Sequence, residues 1–163
     1  MRRTAFGKFF FAPLLFAALV FTVAAPTRAD VSAPYPGTQT IVTKKPFKTF
    51  VDDLVKAVGA NKMGLVAQAC ADCGARNIGK NIAGNRVIMA FNPHFAVRML
   101  NANVASGIEA PIRLYVMETA DGAATLTYRA PSAIFAPYKT PALDEMAKEL
   151  DVIFKKIVAD SLK

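Results

Sequence analysis

The chain has 163 residues, with 20 Lys+Arg against 12 Asp+Glu, one His, two Cys and no Trp, and 53% of it is hydrophobic. Its net charge of +8 would suggest a polyanionic partner, but Arg2, Arg3, Lys8 and Arg28 fall in the first 29 residues with no acid among them, leaving +4 over the other 134. That balance gives no ground for a nucleic-acid partner, and the length excludes a multi-domain enzyme while allowing a proper core.

Arg2, Arg3 and Lys8 form a basic start, residues 9–25 are almost wholly apolar, and Thr27-Arg28-Ala29 supplies a small-residue cleavage signal before Asp30. The apolar run of 17 residues is at the lower limit for a helix crossing a bilayer, and Pro13 interrupts it. Residues 1–29 therefore read as a secretory signal peptide, with a retained membrane anchor as the alternative. The Arg2-Arg3 pair raises a twin-arginine route, but Phe6 lies one place too far on for that signal. Nothing after residue 30 reads as a membrane span. The mature protein is expected to be soluble, periplasmic or secreted, in an oxidising space.

Residues 30–37 contain Pro34 and Pro36 and read as a flexible lead-in to one domain over 38–163. Thr38 to Thr43 suits an opening strand. Pro46 can start a helix to about Ala60, with Phe50, Val51, Leu54, Val55 and Val58 on one side, and Gly59 and Asn61 end it. A second strand is expected over Met63 to Ala69, followed by Cys70-Ala-Asp-Cys73 and an irregular basic stretch to Gly84. The unbroken apolar run Val87 to Phe91 predicts a strand buried on both faces. Asn92-Pro93 caps and opens a short helix expected to bury Ala96, Met99 and Leu100.

Ile112 to Glu118 and Ala123 to Arg129 flank Asp121-Gly122 and read as a hairpin. A two-residue loop would pair Leu114 with Arg129 and mix apolar and polar faces. A three-residue loop, Ala120 to Gly122, pairs Leu114 with Tyr128 and Val116 with Leu126 and keeps them separate, so the longer loop with a glycine bulge is predicted. Thr140 is expected to cap, and Pro141 to open, a last helix with Leu143, Met146, Ala147, Leu150, Ile153, Phe154, Ile157 and Val158 in one stripe. Early acids and late lysines suit its dipole, and Asp144/Lys148 and Asp151/Lys155 are spaced for ion pairs. The sum is a single compact α+β domain: a mixed sheet with a C-terminal β-hairpin and helices packed mainly on one face.

Residues 85–138 resemble the bacterial domain of unknown function family 302. The likeness rests on an apolar strand ending in Phe91-Asn92-Pro93, on Ile108-Glu109-Ala110-Pro111-Ile112-Arg113, on Asp121-Gly122, on Tyr128-Arg129-Ala130-Pro131 and on the amphipathic last helix. It extends over roughly residues 40–160. The resemblance implies a compact α+β fold and no reaction, and it lends no support to Cys70 and Cys73.

Two polar constellations remain. Cys70 and Cys73 can close a small reducible ring, which offers thiol–disulfide chemistry, and with further ligands they can hold a metal. An inert local disulfide is the plainer reading. Gly74 stands where a c-type haem motif needs His, and no helix is evident whose start would acidify a thiol, although Arg76 is near. In the predicted hairpin register, Arg113 faces Arg129, with Tyr115 beside Thr127. Like charges opposed across a sheet need an anion between them, from Glu109 or from a ligand, or else they splay apart into solvent. The single His94 reads as a surface residue in a helix's first turn, and no catalytic set, phosphate loop or cofactor site can be nominated. The sequence thus points to an exported non-catalytic domain that binds a small anionic ligand at Arg113, Tyr115, Thr127 and Arg129, or a protein partner. Redox or metal handling through Cys70 and Cys73 is the alternative.

Overall fold

The computed structural model describes residues 35–163, so the signal-peptide reading and most of the lead-in lie outside the described residues. Five strands, β1 (Thr38–Pro46), β2 (Gly64–Cys70), β3 (Asn85–Phe91), β4 (Ile112–Glu118) and β5 (Ala123–Arg129), form one sheet in the order β1-β5-β4-β3-β2. Every neighbouring pair is antiparallel, so the sheet is not the mixed one expected from sequence. The reason is topological. A parallel neighbour requires a crossover that returns the chain to the same end of the sheet. Here each connection delivers its strand beside an oppositely directed one.

The helices are α1 (Phe47–Ala60), α2 (Ala71–Asn77), α3 (Pro93–Ala102), α4 (Pro131–Phe135) and α5 (Pro141–Ser161), with 3₁₀ segments at Val104–Glu109 and Ala136–Tyr138. Period-2 alternation sends Ile88, Leu114, Val116 and Leu126 to one side of the sheet. There they meet Phe50 and Leu54 of α1 and Leu143, Met146 and Phe154 of α5, all essentially solvent-free. Truncating one such leucine to Ala costs about 2–5 kcal/mol.

The hairpin register is the predicted one: Leu114 pairs with Tyr128 and Val116 with Leu126. Thr119 closes the loop by donating its N–H to Ala123 O (2.8 Å), leaving Ala120 to Gly122 between them, and Gly122 takes φ +80°. A residue with a Cβ is strained there, which is why glycine ends the loop.

Four local expectations are corrected. Residues 71–77 are helical rather than irregular, because Cys70 Sγ accepts the Cys73 N–H (3.0 Å) as a side-chain N-cap. Strand β3 is buried on one face only: Ile88 and Ala90 are enclosed while Val87 and Met89 are half-exposed, since no described helix covers the far side. In α3 the buried residue is Met99, whereas Ala96 is half-buried and Leu100 is 42% exposed, and Phe95 joins the core instead. Thr140 stands at the start of α5 without making a side-chain cap, because its hydroxyl donates to Tyr138 O (3.1 Å).

Of the charge pairs expected along α5, neither Asp144/Lys148 nor Asp151/Lys155 forms among the described residues. Asp151 instead accepts the Ser132 N–H at the start of α4 (2.9 Å), and Glu149 takes a two-pronged bond from Arg98 of α3 (2.7 Å each). That bond holds the Glu149 carboxyl below its ordinary range. No described helix is long and apolar enough to cross a membrane.

Candidate functional site

Strand β5 lies inside the sheet, between edge strand β1 and β4, so it carries Arg129 into contact with both neighbours. Arg129 pairs with Thr38 of β1, and the hairpin register sets it across from Arg113 of β4. Both guanidinium-bearing residues line one cavity of about 160 Å³ at the end of the sheet, with Tyr35, Thr38, Glu109 and Thr127. Of the four residues singled out from sequence, Arg113, Thr127 and Arg129 meet there. Tyr115 pairs with Thr127 in register, but its hydroxyl accepts a bond from Asn85 Nδ2 (2.6 Å) and lies outside the lining.

The two arginines differ in how they are held. Arg129 Nη2 donates to Ala133 O (3.1 Å), and its guanidinium stacks 5.4 Å from the Tyr35 ring centroid. Its Nε is enclosed and has no hydrogen-bond partner among the described residues. A shielded unsatisfied donor costs about 1–3 kcal/mol. Tyr35 is placed by the turn that ends at Gly37, where φ is +74° and a Cβ would run into Ala133. Gly37 O also accepts the Ala130 N–H (2.9 Å), which ties that turn to the strand bearing Arg129. Arg113 is exposed and makes no ion pair or hydrogen bond among the described residues.

Glu109, expected from sequence as a counter-charge, does stand in the cavity wall, but it bridges neither arginine. It accepts from the Tyr138 hydroxyl (3.0 Å). Burial pushes the Tyr138 phenol above its usual range, and the adjacent Glu109 carboxylate adds to this, so the phenol stays a neutral donor. Two guanidinium charges and one carboxylate leave the cavity at about +1, in a wall that Ile112 and Ile134 make partly apolar. Tyr128, on the core side of the same cavity, is also pushed upward, chiefly by burial and then by Asp151.

The second constellation lies at the other end of the chain of strands. Cys70 ends edge strand β2 and caps α2, and it is disulfide-bonded to Cys73 in the first turn of that helix. Asp72, between them, is the residue sequence reasoning missed. It is only 5% exposed, and it binds Arg76 (3.0 Å), Arg86 and the Asn85 N–H (3.0 Å). Its clue was the four-residue spacing to Arg76, which fits a helix. Arg76 therefore serves Asp72 rather than a thiolate. Potential ligand atoms of Cys70, Asp72 and Cys73 lie within 4.8 Å of one another, but the sulfurs are bonded together and the carboxylate is already saturated by cations. Such a set does not suit a metal. His94 is elsewhere, on a surface it shares with Asn61, Lys62 and Lys156.

A model of the family described as "Domain of unknown function DUF302" matches residues 39–161. Among curated proteins, none matches the chain. In structure, the chain is similar to an uncharacterised conserved DUF302 protein from Bacillus stearothermophilus, with a TM-score of 0.66 and 20% identity over 78% of this chain and 99% of the other. That likeness shows a shared fold.

Proposed function

The chain belongs to the DUF302 family, and we propose that it is an exported, non-catalytic domain that binds a small organic anion between Arg113 and Arg129. The observation that carries this reading is the convergence of both arginines on a single cavity of about 160 Å³. Its volume corresponds to about five molecules of liquid water, the scale of a small carboxylate. Its balance of two guanidinium groups and one carboxylate favours a single negative charge, which a guanidinium fork binds through paired N–H donors. Export is supported by the basic start, apolar run and small-residue site of residues 1–29.

The test is thermal stabilisation of the purified protein by acetate, butanoate, lactate, sulfate and phosphate. A carboxylate at one hundred times its Kd raises stability by about 2.7 kcal/mol. Arg113→Ala, at an exposed position, should leave the unliganded melting temperature unchanged and weaken the effect at least tenfold. A flat response to every anion would remove the site.

A second reading has its own observation: Cys70 caps a helix and its sulfur receives the Cys73 N–H (3.0 Å). On reduction the same N–H would stabilise a Cys70 thiolate, a requirement for exchange with another disulfide. Equilibration in glutathione buffers of graded ratio, followed by thiol trapping and mass measurement, tests it. A pair that stays oxidised at every ratio is structural only.

A further inference from the structure

No described helix covers one face of the sheet, and that face carries little charge for a surface that meets solvent. Antiparallel sheets with one wet side normally place charged and polar side chains there. Here the register-paired outward positions carry only two charges, Arg113 and Arg129, side by side at one end. On the β1/β5 side the remaining outward residues are Thr40, Val42, Thr125 and Thr127, whereas on the β2/β3 side the surface is apolar as far as Asn85. Met89 pairs with Arg113, Val87 pairs with Tyr115, and Ala67 and Ala69 of β2 extend the row, with Met117 next along β4. Val87, Met89, Tyr115 and Met117 are half-exposed.

We propose that the ligand is a monoanionic amphiphile, an alkyl carboxylate whose headgroup sits between Arg113 and Arg129 and whose chain lies along Met89, Val87 and Tyr115. This rests on the anion site proposed above and adds its substrate class. Charge complementarity sets the direction, because the two cations occupy one end of an otherwise neutral strip.

Area separates a ligand from a protein partner. Strands about 4.8 Å apart, with outward residues about 6.8 Å apart, give this strip on the order of 150–200 Å². A stable protein interface needs about 800 Å² from each partner. The strip is therefore large enough for one alkyl chain and too small for a second copy of the domain to dock on it alone. The apolar cavity on the core side, between α3 and the sheet, offers no competing berth. It measures about 30 Å³, and Met63, Phe95 and Met99 close it down to the volume of about one water.

Titration calorimetry with butanoate, hexanoate, octanoate and decanoate tests the proposal. Affinity in the unaltered protein should rise about twofold per methylene, half the effect of complete burial, and so roughly 60-fold from butanoate to decanoate. Val87→Thr with Met89→Thr changes only the outward face. It should flatten that rise, lowering decanoate affinity most and butanoate affinity least, while leaving the unliganded melting temperature as it was. Arg113→Ala should weaken all four ligands by a common factor. Butanoate binding with no dependence on chain length overturns the amphiphile and leaves the anion site standing. A rise that survives Val87→Thr/Met89→Thr overturns it too, because the chain then lies elsewhere. A dimer that dissolves on that double substitution, with no chain-length effect, assigns the face to a second copy instead. Failure of all four ligands removes the anion site and the amphiphile together.

Discussion

Replacing Asp72 by Ala is the sharpest test of how this molecule is tied together. The Asp72 side chain is 7% exposed and Arg86 beside it 16%, whereas Arg76 is 56% exposed. Removing one partner of a buried pair costs about 3–5 kcal/mol, because the survivor is left charged and poorly solvated. Arg86 retains a bond to Asn85 O (2.9 Å) and a place over the Phe47 ring (5.5 Å), which argues for the low end of that range. The Asn85 N–H, which starts β3, loses its acceptor and adds about 1 kcal/mol. The exposed Arg76 contact adds less than about 0.5 kcal/mol. Asp72→Ala should therefore lose about 4–4.5 kcal/mol in urea denaturation followed by circular dichroism. At about 3–4 °C per kcal/mol for a domain of this size, the melting point falls by about 12–18 °C. Arg76→Ala should cost under about 0.5 kcal/mol, and a cycle of Asp72→Ala with Arg86→Ala should return most of the loss as coupling. An Asp72→Ala loss below about 1 kcal/mol, or an equal loss for Arg76→Ala, refutes the reasoning.

Two further outcomes follow from the same geometry. Cys70→Ser with Cys73→Ser should lower stability by about 2 kcal/mol, the chain-entropy effect of so short a ring. The hydroxyl introduced at position 70 still offers a cap acceptor, so hydrogen exchange should find α2 formed, and no stability change at all would count against a stable disulfide. Stability should fall as pH drops below about 4. The Lys45 ammonium (2.6 Å) holds the Asp53 carboxyl below its ordinary range, and Lys163 and Asn61 do the same for Asp160. A carboxyl depressed by folding stabilises the folded state above its unfolded pKa and loses that effect as it protonates. Asp53→Asn should make the melting temperature less sensitive between about pH 4 and pH 2. A melting temperature that rises on acidification would contradict this sign.

Several features were legible because they are local or because their errors are expensive. The hairpin register follows from sequence because a slip by one residue would turn Leu114, Val116 and Leu126 into solvent. The stripe on α5 is likewise visible, and Leu143, Met146, Leu150, Phe154 and Ile157 are its buried members. Helix α2 was not legible. Its seven residues include Gly74 and Asn77, both poor helix formers. The Asp72–Arg86 tie that anchors it to β3 joins residues brought near only by folding. The continuous apolar run of β3 misled for a related reason: composition reports hydrophobicity but not whether a layer exists to cover each face.

The sequence by itself determined the α+β class, the family, the hairpin and the facing of Arg113 and Arg129, since periodicity and turn chemistry act between near neighbours. The tertiary structure decided which other groups meet those arginines. Tyr35 and Glu109 reach the cavity only because β1 returns to pair with β5 and because Glu109 ends the 3₁₀ segment just before β4. It also decided that the arginines stand beside an apolar strip of β2 and β3 that no described helix covers, because sheet order and the one-sided placement of the described helices are consequences of long-range packing that no local pattern encodes.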